Sequence, residues 1–212
     1  SRIDAVRYLT NPSTGRMGVA LAEAALDMGW AVSLVLGRDK GTEEPSQRAL
    51  QDPRFECITV ETAEDMAMEA MKRLPTASGV IATAAVLDYR VENPEVGKIK
   101  RADEPMTLKL VPSVDVLATL RALARDDQFF FGFAAETENE LENARKKLEA
   151  KKLDYVFVNR VSRTNERLQT GFGTLSNAGT LLQRGSEPRA FGLRTKEELA
   201  RDLLTEILPR TS

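Results

Sequence analysis

The 212-residue sequence contains no histidine. This absence excludes Ser-His-Asp and Cys-His nucleophilic systems, and also the usual histidine-ligated zinc sites. Chemistry in this protein must therefore depend on lysine, arginine, asparagine, carboxylates, backbone amides or a hard metal bound by oxygens. The sequence has a single cysteine, Cys57, which excludes an intramolecular disulfide framework and leads us to expect a reducing, cytoplasmic location.

Long apolar runs and an excess of one charge are also missing. No apolar run approaches the roughly 18 residues that span a bilayer. The chain has 30 Lys and Arg residues against 32 Asp and Glu residues, a net charge of −2, which offers no electrostatic case for duplex DNA or an anionic membrane. We therefore expect small-molecule partners, with no nucleic acid and no membrane.

Short apolar segments with strand character alternate along the chain with segments of helical periodicity. This order predicts one α/β domain over residues 1–212: a Rossmann-like, doubly wound, mostly parallel sheet with helices on both faces and a C-terminal β-hairpin extension. The predicted strands are 31–36, 55–60, 79–86, 106–111, 129–135 and 155–158. The predicted helices, counted with their capping residues, are 16–28, 62–74, 113–124, 137–152 and 195–208.

Several element ends have recognisable signals. Three helices are predicted to begin with a capping box, in which a threonine is followed three residues later by an acidic residue. Residues 159–171 are polar and predicted to be mobile, and residues 172–183 predict a hairpin with its turn at 177–179. The capping pairs are Thr62 with Asp65, Thr137 with Glu140, and Thr195 with Glu198.

The first helix has no strand before it. Only about fifteen residues precede Arg16, and they do not form a convincing apolar run. In a doubly wound sheet the first strand is central, so its absence would split the sheet. We therefore expect the native first strand and the loop after it to lie upstream of Ser1.

The stretch 79–101 is the strongest candidate for chemistry. Its apolar first half predicts a buried strand, and ligands of open α/β sheets bind beyond the carboxyl ends of the strands. Ala84 and Ala85 would let a ligand approach the backbone closely. Lys98, on a long flexible stem, suits a phosphate group. The loop 91–103, which combines proline, glycine and charge, is predicted to be mobile without ligand.

Residues 11–18 form a second candidate, a turn-rich segment with small hydroxyls and glycines at the start of a helix. Such a segment is either an anion-binding cradle or an ordinary N-cap with close helix packing at Gly15 and Gly18, and the spacing leaves both interpretations open. It matches neither the dinucleotide fingerprint G-x-G-x-x-G nor the P-loop pattern. A standard NAD site or P-loop is therefore disfavoured.

Four motifs occur in one order along the chain, and together they resemble the phosphopantothenoylcysteine synthetase family over essentially the whole sequence. The motifs are Arg7-Tyr8-Leu9-Thr10-Asn11 with Ser13-Thr14-Gly15-Arg16-Met17-Gly18, Ala84-Ala85-Val86-Leu87-Asp88-Tyr89-Arg90, Lys98-Ile99-Lys100-Arg101, and Gly132-Phe133-Ala134-Ala135-Glu136-Thr137.

The resemblance implies a ligase of coenzyme A biosynthesis that joins 4'-phosphopantothenate to L-cysteine through an acyl-nucleotide intermediate. It implies CTP as the favoured co-substrate, with ATP as the alternative, together with Mg²⁺, and a homodimer. It also implies a phosphopantothenoylcysteine decarboxylase, fused or as a partner. The glycine-rich first loop of the family is absent from residues 1–212.

The resemblance also implies roles for individual residues. Asn11 and Lys98 would be catalytic, and the metal ligands are unknown. Arg7, Asn11, Ala84 and Ala85 would bind the acid substrate. Lys147 and Lys151 also have the rival interpretation of solvated charges on a helix face. The implied nucleotide-binding residues are Asp88, Lys98, Val114, Asp115, Val116, Leu117, Phe133, Lys147 and Lys151.

Two other functions stay open, and departures from the family pattern support the second of them. The family's Asn-Pro-Asp, Ala-Asn-Asp and Gly-Phe-x-Ser-Asp motifs are replaced by 113–115, 158–160 and 171–175. One alternative is an NAD(P)-dependent Rossmann-type oxidoreductase with Tyr89 as proton donor, although a Tyr-x-x-x-Lys pair is missing. The other is a domain that binds a nucleotide without turnover.

Overall fold

The computed structural model describes residues 1–39, 41–101, 103–136, 138–160 and 174–207. The helices are α1 Arg16–Asp27, α2 Gln47–Gln51, α3 Ala63–Arg73, α4 Val116–Leu123, α5 Glu140–Ala150 and α6 Lys196–Ile207, with a 3-10 turn at Leu74–Thr76. The strands are β1 Val32–Gly37, β2 Phe55–Val60, β3 Gly79–Ala82, β4 Tyr89–Val91, β5 Leu110–Pro112, β6 Phe129–Glu136, β7 Tyr155–Arg160, β8 Ser176–Gln183 and β9 Arg189–Thr195.

The main sheet has the strand order β3-β6-β7-β8-β9. Strands β3, β6 and β7 run parallel, with Gly79 beside Phe129 and Phe131 beside Tyr155, whereas β8 and β9 are antiparallel additions. Strands β1 and β2 form a separate parallel pair. The predicted α/β fold with a mostly parallel central sheet and helices is confirmed.

The side chains of β6 alternate between two cores because successive residues of a strand point to opposite faces. Phe131 packs in a core that includes residues of α1 and α6, whereas Phe130 packs with residues of α4 and α5. Both phenylalanines are fully buried. Burial of each side chain stabilises the fold by about 1.5–3 kcal/mol, so the sheet is held from both faces.

A slot separates β1 from β3. The two strands belong to different sheets, and within the described ranges no strand lies between them. Both strands and residues of α1 and α4, among them Leu21 and Leu120, line a single continuous cavity. The side chains of β3 are only half-buried, although Val80 and Ile81 are apolar. In the doubly wound order this slot is the place of the first strand, where the sequence predicted a split.

Thr62 and Thr195 cap their helices as predicted, and the second of them forms the full reciprocal box. The Thr62 hydroxyl accepts a hydrogen bond from the Asp65 N–H at 3.0 Å. Thr195 and Glu198 cap α6 reciprocally: each side chain accepts from the other residue's N–H, at 3.0 and 3.1 Å. The third prediction, Thr137 with Glu140, falls on Thr137, which lies outside the described residues, and α5 itself begins at Glu140 after Asn139.

The C-terminal hairpin exists, but it is built from other residues than the sequence indicated. Strands β8 and β9 are connected by residues 184–188, so the predicted turn at 177–179 is wrong. Those residues lie inside β8, where the register shifts. A Cβ on Gly179 would lie 2.2 Å from the Val158 carbonyl oxygen, so glycine is required there for the close approach of β7 rather than for a turn.

Three other predicted boundaries also change. The predicted strand 106–111 is wrong over 106–109: β5 begins at Leu110 and pairs with β4 away from the main sheet. Strand β3 ends at Ala82, so 83–86 forms the loop beyond it. Strand β7 extends to Arg160, and the rest of the polar segment predicted to be mobile, 161–171, lies outside the described residues.

Candidate active site at the carboxyl ends of the parallel strands

A cavity of about 1700 Å³ opens where β3 and β6 end and α1 begins. Ligand pockets commonly have volumes of about 300–1,000 Å³. The excess arises because the cavity continues into the slot between β1 and β3. Most residues that the sequence predicted as a site lie along its wall: Asn11, Ala84, Ala85, Asp88, Val114, Asp115, Val116, Leu117, Phe133, Lys147 and Lys151.

Asn11 is held against the loop that follows β3. Its side-chain Nδ2 donates a hydrogen bond to the Ala85 carbonyl oxygen at 2.9 Å. An asparagine amide carries two N–H groups and one oxygen, so this contact leaves one donor and the acceptor for a ligand. The Asn11 amide is therefore an oriented, uncharged hydrogen-bonding group beside the carboxyl ends of the parallel strands.

The start of α1 contributes backbone rather than side-chain groups. Gly15 occupies the N-cap position at φ 71°, and no side chain caps the helix. The close packing that the N-cap interpretation predicts is present, because a Cβ on Gly15 would lie 3.0 Å from a methyl carbon of Leu36. A Cβ on Gly18 would lie 2.8 Å from the Thr83 hydroxyl oxygen, which shows how closely the helix approaches the end of β3. Arg16 and Gly18 line the cavity. Uncapped amides at a helix N-terminus favour an anion.

Two lysines of α5 point away from bulk solvent. Nζ of Lys147 donates to the Phe133 carbonyl oxygen at 2.5 Å, and burial, assisted by the Lys151 charge, lowers the pKa of Lys147. Nζ of Lys151 lies 2.8 Å from a carboxylate oxygen of Asp115. Lys146 shows the contrast, because it is 69 % exposed and pairs with Glu142 on the same helix. The interpretation as solvated helix-face charges is therefore wrong for Lys147 and Lys151.

Asp115 connects the helices α4 and α5. One of its oxygens caps α4 by accepting from the Ala118 N–H at 3.0 Å, and the other pairs with Lys151. Burial alone would raise the pKa of Asp115, but these hydrogen bonds and the lysine charges lower it below its ordinary value. The Ser113 N–H donates to the Asp88 carbonyl oxygen at 2.8 Å, which places this segment beside the loop after β3.

Arg7 and Lys98 are the two predicted site residues that do not line the cavity. The Arg7 guanidinium is engaged by the Asp4 carboxylate and by the Ile99 carbonyl oxygen. Lys98 is exposed on its loop. Lys98 would reach the cavity only after a movement of its loop or side chain. Arg7 would reach it only after leaving Asp4 and Ile99. Asp4, the buried partner of Arg7, was not among the residues predicted from the sequence, because it lies just before the first motif.

Tyr89, the proton donor of the alternative oxidoreductase, is 57 % exposed in β4 and does not line the cavity. Among the described residues, no three acidic, histidine or cysteine side chains form a group that could hold a metal ion. Within the same part of the chain, no helix is long and apolar enough to cross a membrane.

Comparison with known protein families agrees with this geometry. The family described as "DNA/pantothenate metabolism flavoprotein C-terminal domain" matches residues 1–210. The chain belongs to this family.

The curated relatives of the chain have different names. The chain is 37 % identical over 205 residues to the "Coenzyme A biosynthesis bifunctional protein CoaBC" of Bacillus subtilis (strain 168), covering 97 % of this chain and 48 % of that protein. It is 35 % identical over 206 residues to a "Cysteine/Cysteine sulfinic acid decarboxylase" of an unknown prokaryotic organism, covering 97 % of this chain and 54 % of that protein. The chain thus spans about half the length of these curated relatives.

A solved structure covers the same region. The crystal structure of the C-terminal domain of a coenzyme A biosynthesis bifunctional protein CoaBC superposes with a TM-score of 0.76 at 33 % identity, covering 98 % of this chain and 88 % of that one. The α/β architecture is therefore that of this family domain.

Proposed function

We propose that this protein is a phosphopantothenate–cysteine ligase of coenzyme A biosynthesis. The observation that carries the proposal is the composition of the cavity: Asn11, Lys147 and Lys151 line one histidine-free cavity together with the uncapped start of α1. Such a set can bind and stabilise phosphate and carbonyl oxygens without a histidine base. The family membership and the similarity to bifunctional coenzyme A biosynthesis proteins support the same reaction.

The reaction has two steps. A carboxylate oxygen of 4'-phosphopantothenate attacks the α-phosphorus of a nucleoside triphosphate; the bond to the β-phosphate breaks, and pyrophosphate leaves. The amine of cysteine then attacks the acyl carbon, the bond to the nucleotide oxygen breaks, and the nucleoside monophosphate leaves as the amine gives up a proton. Negative charge develops on phosphoryl and carbonyl oxygens in both steps, and positioning supplies much of the remaining rate.

We assign the nucleotide to the side of the cavity formed by α4 and α5. Lys147 and Lys151 would contact phosphates, Phe133 and the segment Val114 to Leu117 would contact the rest of the nucleotide, and Asp88 would lie between nucleotide and acid. CTP is favoured over ATP on the family resemblance. Because the described residues offer no cluster of metal ligands, Mg²⁺ would arrive with the triphosphate and be held chiefly by its oxygens.

The acid substrate would lie near Asn11, Ala84 and Ala85, where the backbone is accessible. Lys98 would neutralise phosphate charge. It is exposed and lies outside the cavity wall, so it would reach the phosphate only when its loop or side chain moves towards the cavity. Arg7 would act through the position of this loop rather than by holding substrate, since its guanidinium is already engaged.

We also propose that residues 1–212 function as one domain in which an additional parallel strand fills the slot between β1 and β3, because both strands present an unpaired edge there. By resemblance, the working unit is a cytoplasmic homodimer with a fused or partner decarboxylase. This chain covers only 54 % of the relative that is named a decarboxylase, and we propose the ligase rather than that activity for it.

The reaction is tested by pyrophosphate release. We expect release that requires both 4'-phosphopantothenate and a nucleoside triphosphate, and that is faster with CTP than with ATP. Cysteine should then convert the acyl nucleotide to phosphopantothenoylcysteine. Binding of nucleotide without pyrophosphate release would favour the non-catalytic domain instead. Reduction or oxidation of NAD(P) by the protein would favour the oxidoreductase.

The variant Lys147→Met tests the nucleotide side. We expect the KM for the nucleotide to rise about tenfold, because one charge-assisted contact is lost. The thermal stability at neutral pH should stay the same or rise, since burial lowers the pKa of Lys147 and its charged form therefore weakens folding. That penalty is fully present below the lowered pKa and is gone only above the ordinary lysine pKa, so the stability difference should shrink as the pH rises from the first value to the second.

Lys146→Met is the matched control, because Lys146 is the neighbouring, exposed lysine of the same helix. It should not change the KM, and above neutral pH it should not change the pH dependence of unfolding, because its partner Glu142 titrates only in acid. Equal changes of KM in the two variants would contradict the assignment of Lys147.

A further inference from the structure

Residues 1–9 form a small hairpin that encloses Asp4. The Leu9 N–H donates to the Ser1 carbonyl oxygen at 2.8 Å, and the Ile3 N–H donates to the Arg7 carbonyl oxygen at 2.8 Å. Arg2 and Tyr8 pair across the same hairpin. Asp4 is therefore surrounded by backbone from both arms, and its side chain is fully buried.

The Asp4 carboxylate accepts five hydrogen bonds. One oxygen accepts from the N–H groups of Val6 at 2.8 Å and Arg7 at 2.7 Å. The other accepts from Nε of Arg7 at 2.9 Å, from Nη2 of Arg7, and from the Ile99 N–H at 3.1 Å. The contacts of Arg7, followed by those of the backbone, hold the pKa of Asp4 far below its ordinary range. Asp4 is consequently ionised and has no free capacity for a ligand.

Two of these groups meet the loop that carries Lys98. Asp4 accepts from the Ile99 N–H, and Nη2 of Arg7 donates to the Ile99 carbonyl oxygen at 3.0 Å. A peptide group is planar, so fixing the Ile99 N–H also fixes the carbonyl of Lys98. The backbone on the C-terminal side of Lys98 is anchored, while its side chain remains free to turn towards a ligand.

The loop has further contacts with the same hairpin. The Glu95 N–H donates to the Ile3 carbonyl oxygen at 2.9 Å, and the Val91 N–H donates to the Ser1 hydroxyl at 3.0 Å. The hairpin leads directly into Asn11, which is held by the Ala85 carbonyl oxygen. One buried carboxylate thus lies at the centre of a unit that joins the segments bearing both proposed catalytic residues.

We propose that Asp4, with Arg7, is a positioning residue that anchors the Lys98 loop at Ile99 and thereby sets where the Lys98 ammonium can reach. This inference rests on the proposed ligase function and adds to it a residue that touches no substrate. It also refines the sequence prediction of a mobile loop: the loop is held at Glu95 and at Ile99, so the movement that brings Lys98 to the cavity is confined to residues 96–98 and to the Lys98 side chain.

Asp4→Asn tests the anchor. The variant keeps the size of the side chain but places an amide or a weaker acceptor where Asp4 meets Ile99 and Arg7, so the anchor should loosen. We expect acyl-nucleotide formation to slow by up to about 10²-fold, the cost of a small misplacement of a reacting group. The KM for cysteine should not change. Exchange of the Ile99 amide hydrogen, followed by NMR, should become about tenfold faster.

Asp52→Asn is the matched control. Asp52 accepts from the N–H, Nε and Nη2 of Arg54 and its pKa is lowered to about 2, so it reproduces the local Asp–Arg pair away from the loop. It should leave both the rate and the Ile99 exchange unchanged. Equal effects of the two variants would overturn the proposal.

A double-mutant cycle with Lys98→Gln separates positioning from general structural damage. If Asp4 acts through Lys98, Asp4→Asn should lower the rate less than twofold in the Lys98→Gln background. The same fold loss in both backgrounds would show that Asp4 does not act through Lys98. If Lys98→Gln has no effect, the proposed role of Lys98 fails, and an unchanged Ile99 exchange in Asp4→Asn would separately overturn the anchor.

Arg7→Lys serves if Asp4→Asn does not fold. The variant keeps the positive charge beside Asp4 but removes the guanidinium arm that donates to Ile99. Ile99 exchange should again become faster, with a smaller loss of rate than in Lys98→Gln. Normal exchange and normal rate in Arg7→Lys would overturn the anchor.

Discussion

Replacing Lys98 with glutamine should slow acyl-nucleotide formation by roughly 10²- to 10³-fold while leaving the fold intact. The side chain is exposed, so its loss removes no packing. Its proposed role is to neutralise negative charge that increases as the carboxylate attacks the α-phosphate, and a neutral amide cannot replace this charge. The first turnover of pyrophosphate release, measured by rapid quench, reports this step directly.

Lys100→Gln provides the comparison for Lys98→Gln. It makes the same change of charge two residues further along the same loop, also at an exposed position. Its first-step rate should stay within a factor of about two of the unmodified protein, as expected for a surface charge. An unchanged first step in Lys98→Gln, or equal losses in both variants, would remove Lys98 from the mechanism.

Asn11→Asp should slow the amine step by roughly 10²- to 10³-fold and leave nucleotide binding nearly unchanged. Asn11 is uncharged, so it contributes little to holding a triphosphate and more to orienting a polarised carbonyl. Aspartate has a similar size but no donor, so the hydrogen bond to the Ala85 carbonyl oxygen is lost as well. It also adds a negative charge beside an anionic intermediate.

The expected result for Asn11→Asp is accumulation of acyl nucleotide on the enzyme. Single-turnover reactions with triphosphate, 4'-phosphopantothenate and cysteine, quenched at intervals, would trap it. Asn93→Asp, the same chemical change at an exposed position of the 91–101 loop, should couple cysteine at the normal rate. If Asn11→Asp also couples cysteine normally and no acyl nucleotide is trapped, the assignment of Asn11 is wrong.

Much of the architecture could be predicted from local sequence patterns. The strand 55–60 has the predicted bounds, and α1 and α6 begin at the positions that their neighbouring residues indicated. Thr62 and Thr195 cap helices because a side-chain oxygen and an amide three residues away are brought together by the helix itself. The absence of histidine excluded histidine-dependent nucleophiles and histidine-ligated zinc sites. The alternation of strands and helices placed the site at the carboxyl ends of the strands.

Contacts between distant segments could not be predicted in this way. Gly179 resembles a turn residue in sequence, and only the neighbouring strand shows that the approach of Val158 requires it. Lys146 and Lys147 are adjacent and chemically identical, but the helix packs Lys147 towards Phe133 and leaves Lys146 in solvent. Lys98 and Arg7 lie outside the cavity, although the motifs suggested a place in the site.

The sequence by itself determined the fold class, the residue types available for catalysis and most of the cavity wall, because periodicity and capping depend on neighbours a few residues apart. Only the tertiary structure decided which charges are buried and which groups surround Asp4. Asp4 and Ile99 are 95 positions apart, and their hydrogen bond depends on the path of the whole intervening chain. Such a pairing leaves no periodic pattern in the sequence.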